Sequence, residues 1–375
     1  MLLILVYLAT CAARPSLAEQ PQVGTGTAEA ALLIEANSGV VLFEKNSGEK
    51  LPAAGLSRLP ALLVICEAFD AGEIGRDAVI TVDDRAAKIG GTTAFLRAGE
   101  QIDAESLLLA AVMINAGDAI HALACTLCGS ETAAAERITS RMAELGVDCC
   151  FTDVCGAGQT FSAAELAKLG AALIKSHTYS EFGTKYYEII HHTGAGDTEL
   201  ANPNKLVRQY SGCIGVGTGS AKDAGYCGVF AAKRGETACI AVLLGAANGS
   251  ERFATAVALL DHGFSAYRSV RICAAGESFG TVPVRGSMKT ELEVTAEDAL
   301  TLLLRFGESG YKTETELPDY AEAPIKKGDT LGSLVVRAED GTVLGSAALI
   351  AAEDAPRLDF PDCFGFLLAL FLRRV

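Results

Sequence analysis

Apolar positions fall into two kinds of pattern along the chain. Short, nearly continuous apolar runs cover residues 30–35 and 40–44, and Asn37-Ser38-Gly39 between them is a turn sequence, so the pair predicts a β-hairpin. Longer stretches with helical spacing cover residues 59–69, 104–113, 119–127, 131–145 and 163–174. Asp103 and Ser130 stand at N-cap positions, and Gly146 stands where a helix stops. Residues 226–232 and 237–244 predict a second hairpin around Arg234-Gly235-Glu236, and a last helix starts near Glu251. Strands at both ends with helices between them predict an α+β domain whose antiparallel sheet is built from the two terminal hairpins.

The pattern changes near Arg271. Lys312-Thr313-Glu314-Thr315-Glu316-Leu317 reads as a strand that ends at Pro318. Residues 334–337 and 343–350 flank Asp340-Gly341, a strong hairpin turn. A smaller all-β domain over 271–353 is expected behind the first domain, which takes 19–270.

The two ends carry their own signals. Residues 1–13 are apolar, Arg14-Pro15 breaks the run, and Ser16-Leu17-Ala18 offers small residues for cleavage after Ala18. Residues 1–18 therefore read as a secretory signal peptide, although no Lys or Arg precedes the run. Residues 354–375 end in an apolar decamer, Cys363 to Leu372, followed by Arg373-Arg374-Val375. Ten residues are too few to span a bilayer, for which about 20 are needed. The tail is either an interfacial helix on a membrane surface or a helix docked on its own domain.

Composition narrows the function classes. Half of the 375 residues are hydrophobic and 21% are charged, so a large core is available and global disorder is excluded. The net charge of −15 repels phosphate backbones, and no nucleic-acid partner is expected. Twelve cysteines are present. Cys66, Cys227 and Cys239 lie inside apolar patterns, where cysteine acts as a small hydrophobe. Cys125-Thr126-Leu127-Cys128 has no second CxxC to complete a zinc set, and Cys149, Cys150 and Cys155 have no flanking histidine. No metal and no cofactor are expected. His191-His192 reads as part of a solvated polar loop, its rings pointing apart.

The order of segments resembles the serine D-alanyl-D-alanine carboxypeptidases, the low-molecular-weight penicillin-binding proteins of peptidase family S11. The likeness covers nearly the whole chain. It rests on residues 31–46 as the opening hairpin, Lys50-Leu51-Pro52 before the nucleophile motif, and Ala87-Lys88-Ile89-Gly90-Gly91-Thr92-Thr93 before the second motif. It rests further on Asn202-Pro203-Asn204-Lys205-Leu206, on Ala224-Gly225-Tyr226-Cys227 after the third motif, and on Glu322-Ala323-Pro324-Ile325-Lys326-Lys327-Gly328 in the β-domain. The resemblance implies a β-lactamase/transpeptidase-like domain, an antiparallel sheet flanked by helices, followed by a small β-domain.

It also implies three catalytic motifs, and here the residues differ. Where S-x-x-K is expected stands Gly55-Leu56-Ser57-Arg58. Glycine has no nucleophile, and a guanidinium does not deprotonate to act as base. Where S-x-N is expected stands Asn115-Ala116-Gly117, followed by the family's Asp118; where K-T-G is expected stands Gly217-Thr218-Gly219. The motif positions Gly55, Arg58, Asn115, Gly117 and Gly217 therefore carry no catalytic set. Ser57, the one nearby hydroxyl, faces away from residue 55 on a helix and reads as a helix cap ahead of Pro60. Arg58, Asn115, Thr218 and Ser220 are candidate ligand-binding residues. Arg58 either receives a peptide carboxylate or pairs with Asp118.

The resemblance implies an exported protein of peptidoglycan metabolism at the outer face of the bacterial cytoplasmic membrane. With these motifs it is expected to bind rather than cleave, its partner a stem peptide or another cell-wall protein. The alternatives are an active serine-type carboxypeptidase working through non-standard residues, and a membrane-held scaffold.

Overall fold

The computed structural model describes residues 24–194, 196–307, 310–361 and 364–365. The leader read over residues 1–18 and most of the apolar C-terminal decamer lie outside the described residues. No helix among the described residues is long and apolar enough to cross a membrane.

The central sheet has five antiparallel strands: β1 (Ala30–Glu35), β2 (Val41–Lys45), β3 (Cys213–Ala221), β4 (Gly225–Arg234) and β5 (Thr237–Ala246), in the order β2-β1-β5-β4-β3. Both terminal hairpins are present, and β1 joins them by pairing with β5, Leu32 opposite Val242. The unbroken apolar runs of β1 and β5 follow from the layers on both faces. Leu32, Ile34, Ile240 and Val242 face one core with Leu62, Leu107 and Leu166, while Leu33, Cys239 and Leu243 face another with Leu259 and Leu260.

The helices that matter for the site are α1 (Leu59–Asp70), α2 (Ala104–Ile114), α3 (Gly117–Cys128), α4 (Glu131–Glu144), α5 (Ala163–Leu173) and α6 (Gly249–Ala266). Asp103 and Ser130 cap α2 and α4 as expected, accepting from the N–H groups of Ser106 and Ala133. Ser162 and Glu165 form a reciprocal capping box on α5.

After α6 the chain is all β. β6 (Tyr267–Cys273) pairs with β9 (Leu300–Arg305). β7 (Ser278–Arg285), β8 (Glu291–Ala296), β10 (Tyr311–Glu316), β11 (Thr330–Ala338) and β12 (Val343–Ala351) form a second sheet in the order β10-β11-β12-β8-β7, with Ala321–Glu322 added beside β7. The Asp340-Gly341 turn lies between β11 and β12, with Gly341 at φ 86°, a conformation glycine adopts without strain.

The cysteines of the described residues are free, and Cys66, Cys227 and Cys239 are fully buried. Burial pushes the Cys239 thiol up to about 12, aided by the Glu35 charge. The histidine pair corrects one expectation. His191 is exposed and bonded to Asp197, but His192 is buried, with Nδ1 2.7 Å from Glu100 and Nε2 2.8 Å from Thr198. The pair follows directly on the strand Tyr187–Ile190, and the one-residue step turns the second ring inward, where the acid that receives it comes from a distant loop.

Candidate functional site

Residues Ala54–Arg58 form a 3₁₀ turn that runs into α1, with Pro60 in the first helical turn, where its missing N–H has no intrahelical role. This turn lies directly on β3. A Cβ at Gly219 would sit 2.7 Å from the Gly55 nitrogen, so glycine is what permits the approach. Gly55 is under no such demand, since a Cβ there would meet nothing closer than Asn115 Nδ2 at 3.7 Å.

Ser57 does not cap α1. Its hydroxyl donates to the Cys155 carbonyl at 2.8 Å, and no side chain caps this helix, because the preceding 3₁₀ turn already supplies helical geometry. Arg58 makes no ion pair with Asp118. Its Nη1 donates to the carbonyls of Thr92 (2.9 Å) and Asn115 (3.0 Å), and its Nη2 to that of Gly90 (2.9 Å). Asp118 is instead buried under backbone donors, accepting from the N–H groups of Ala94, Leu96 and Ala119. Gly117 lies beneath the guanidinium; a Cβ there would be 2.7 Å from Arg58 Cζ and 2.8 Å from Ile89 Cγ2.

Asn115 ends α2 in the left-handed region at φ 55°, which asparagine tolerates better than most residues. Its Nδ2 donates to the Gly55 carbonyl at 2.5 Å. Its Oδ1 is buried without a hydrogen-bond partner among the described residues. On β3, Gly217 faces Leu56 and Leu59, while Thr218 and Ser220 pair with Gly228 and Tyr226 of β4.

These elements enclose a cleft of about 350 Å³, within the size range of small-ligand sites. Its walls are Gly55, Arg58, Gly91, Thr92, Ile114, Asn115, Pro203, Thr218, Gly219, Ser220 and Arg252. The four binding candidates read from the sequence are therefore together, as are the 3₁₀ turn of the first motif and the β3 segment Thr218-Gly219 of the third. Gly117 sits behind Arg58 and Gly217 beneath the wall, outside the lining.

Arg252 was not among the residues the sequence singled out. It sits in the first turn of α6, one place after Glu251, whose N–H is capped by Asn248. The Asn248-to-Glu251 spacing marks a helix start, but only the sheet brings that helix end to the cleft. Arg252 Nη1 donates to the carbonyls of Gly219 (3.0 Å) and Cys227 (3.1 Å), and its guanidinium lies over Phe253 and Tyr226. Its Nε is buried and unpaired, and no carboxylate faces it among the described residues. Burial pulls its pKa below the ordinary guanidinium value.

The cleft thus holds two guanidinia, the Asn115 amide with its buried, unpaired Oδ1, and the residues Thr92, Thr218 and Ser220. Its lining contains no lysine, histidine, cysteine or carboxylate. Guanidinia and hydroxyls are donors suited to an anion, whereas the general-base side chains imidazole, carboxylate and amine are missing from this lining.

Comparison with known proteins identifies the family and the fold. Residues 16–248 match the model of the D-alanyl-D-alanine carboxypeptidase family, peptidase S11, and residues 267–357 match the penicillin-binding protein 5 C-terminal domain. The D-alanyl-D-alanine carboxypeptidase DacF of Bacillus subtilis is 31% identical over 339 residues, covering 89% of this chain and 87% of the relative. DacC of Escherichia coli is 29% identical over 350 residues, covering 88% and 84%. Among solved structures, penicillin binding protein 5 from Haemophilus influenzae superposes with a TM-score of 0.75 at 23% identity, covering 91% of this chain and all of that one. Penicillin binding protein 6B from Escherichia coli gives a TM-score of 0.69 at 22% identity, covering 88% and 98%. With both domains of its fold matched in order, the chain belongs to the D-alanyl-D-alanine carboxypeptidase family, peptidase S11.

Proposed function

We propose that this protein is a non-hydrolysing carboxypeptidase homologue that binds D-alanyl-terminated stem peptides of peptidoglycan and acts as a binding or regulatory protein of cell-wall assembly. The observation that carries the reading is the cleft lining, which keeps anion and amide recognition and lacks both a nucleophile at residue 55 and any base. Acyl transfer through a serine needs an activated hydroxyl. Loss of such a nucleophile alone costs about 10⁶ in turnover in a serine hydrolase, and further losses in the same unit add little.

Binding asks less. Arg252 supplies the uncompensated cation for the terminal carboxylate, and Thr218 and Ser220 supply hydroxyls beside it. Asn115 Oδ1 accepts a peptide N–H. Arg58 gives three of its five N–H donors to the carbonyls of Gly90, Thr92 and Asn115 and so holds the wall in shape, while the rest of its guanidinium adds positive charge beside the ligand. Under this reading residues 1–18 are a leader. Units 19–270 and 271–353 then stand outside the cytoplasm, and residues 354–375 associate with the outer face of the membrane.

The test combines three measurements on the purified full-length chain. The intact mass after incubation with a β-lactam is expected to be unchanged, and no D-alanine is released from an acyl-D-Ala-D-Ala peptide. Calorimetry with the same peptide is expected to detect binding, weakened at least about tenfold in Arg252→Ala, the order of one charged hydrogen bond. A drug-mass adduct, or D-alanine release that Ser57→Ala abolishes, overturns the reading in favour of an active enzyme. A folded protein that binds no peptide at millimolar concentration overturns it in favour of a scaffold.

A further inference from the structure

Behind the cleft, α3 carries His121 and Cys125 one helical turn apart, so both project from the same face. Asp83, from the loop after Val79–Thr81, meets them there. Its Oδ1 accepts the N–H of Ala86 at 2.6 Å, which fixes the carboxylate and leaves Oδ2 facing the ring. His121 Nε2 lies 3.4 Å from Asp83 Oδ2 and 3.4 Å from Cys125 Sγ, and the three ligand atoms are all within 4.8 Å of one another.

We propose that Asp83, His121 and Cys125 form a zinc-binding site. The separations carry the argument. A charge-assisted contact between a histidine and a carboxylate closes to about 2.7–2.9 Å. Zinc bonds of about 2.0–2.3 Å to oxygen, nitrogen and sulfur set at tetrahedral angles put neighbouring ligand atoms about 3.3–3.6 Å apart. The two edges at His121 Nε2, both 3.4 Å, fit the second geometry, and the Asp83 to Cys125 edge, within 4.8 Å, closes onto a common ion with a small shift. A thiolate beside an imidazole favours zinc over the hard cations, which prefer oxygen-only shells.

A second observation is independent of these edges. His121 is 1% exposed, and its Nδ1 is buried without a hydrogen-bond partner. The atom opposite it is Glu131 Oε1, 3.7 Å away at the start of α4, with Arg85 3.7 Å from Glu131 Oε2. Nδ1–H donating to a carboxylate while Nε2 binds metal is the usual outer shell of a zinc-bound histidine. A small closure of Glu131 on the ring would satisfy the orphaned nitrogen and fix the required tautomer. Cys128, the other half of the CxxC, takes no part, which is why cysteine spacing did not reveal the set. The metal would tie the 83–92 segment to α3, and that segment supplies the Gly90 and Thr92 carbonyls that hold Arg58. The site does not depend on whether the cleft cleaves or binds peptide.

The experiment uses the full-length protein, stripped with a chelator and then titrated with zinc alone against a chromophoric competitor. A parallel titration with cobalt(II) reads the thiolate-to-cobalt charge-transfer band. One equivalent of zinc, that band, and slower amide exchange over residues 84–92 are expected. Cys125→Ser is expected to abolish the band, Asp83→Asn to weaken zinc binding at least tenfold, and Glu131→Gln to weaken it by about ten- to a hundredfold. Absence of stoichiometric zinc binding overturns the proposal. So does a band that survives in Cys125→Ser, since the metal would then sit on other cysteines. If Cys125→Ser does not fold, Asp83→Asn decides, because Asp83 is half-exposed and its loss leaves the core intact.

Discussion

The guanidinium of Arg58 fills the space that a side chain at residue 117 would need. A Cβ at 117 would stand 2.7 Å from Cζ and 2.9 Å from Nη2, and the guanidinium cannot swing aside without giving up its bonds to Gly90, Thr92 and Asn115. The arginine in the first motif and the glycine in the second are therefore one structural unit. Gly117→Ala is expected to cost about 1–3 kcal/mol, the range for overpacking a filled site. In an Arg58→Ala background the same change should cost less by about 1 kcal/mol or more, with Ile89 accounting for what remains. Urea denaturation of the four proteins of this cycle measures the coupling, and simple additivity would show the two positions to be independent. The identities at 58 and 117 are readable from the sequence; their coupling is not, because it needs the loop carbonyls that lock the guanidinium. The same holds for the pairing of Arg58 with Asp118, which gives way to three backbone oxygens at Arg58 and to backbone N–H groups at Asp118.

Elements were the most legible level, because their signals are local. The caps at Asp103 and Ser130, the turn at Asn37-Ser38-Gly39 and the Asp340-Gly341 hairpin each depend on a few adjacent residues, and each stands where the pattern puts it. Ser57 failed as a cap because the 3₁₀ turn ahead of α1 lies against β3 and redirects its hydroxyl to Cys155. The α5 cap shows how a local motif acquires long-range partners. Glu165 bonds Ser162, but it also accepts from Lys50 Nζ at 2.8 Å and from the Asp148 N–H at 3.0 Å. Burial alone would raise its pKa, yet these donors outweigh burial and hold the carboxyl below its ordinary value of 4.5. A depressed folded-state pKa contributes stability above the unfolded value and loses it as pH falls through the folded one. Thermal midpoints followed by circular dichroism should therefore fall between about pH 6 and pH 3 more steeply in the wild type than in Glu165→Gln. The gap between the two proteins should narrow towards the acid end, and parallel curves would mean that Glu165 gains nothing from its partners.

At the scale of the whole molecule, the question is what joins the carboxypeptidase-like unit to the β-domain, given a net charge of −15 that favours separation. The junction is built on Glu35, the last residue of β1 and only 1% exposed. Its Oε2 accepts the N–H groups of Asn37 and Ser38 and the Ser38 hydroxyl, which closes the first hairpin turn. Its Oε1 accepts from Asn37 Nδ2 and from Ser269 Oγ on β6. The Ser269 N–H donates to Thr237 Oγ1 at 2.7 Å, and Arg271 pairs with Glu236 at 2.7 Å, so β6 is sewn to the second hairpin turn as well. One carboxylate thus serves a turn and a domain contact at once, a dual role that the sequence, offering an acid beside a turn, did not disclose. Removing it leaves the buried Ser269 hydroxyl unmet, at about 1–3 kcal/mol for a buried donor, and takes from the half-buried turn the acceptor shared by Asn37 and Ser38. Glu35→Ala is expected to lose about 2–4 kcal/mol from the first unit, whereas Ser269→Ala, which removes only the domain contact, should lose under about 1 kcal/mol. Scanning calorimetry separates the cases. Glu35→Ala should lower the midpoint of the first unit by several degrees, at about 2–4 °C per kcal/mol for a unit of this size, and draw it away from that of the β-domain. Equal effects of the two variants would show that the carboxylate matters to the junction alone and that the hairpin turn holds without it.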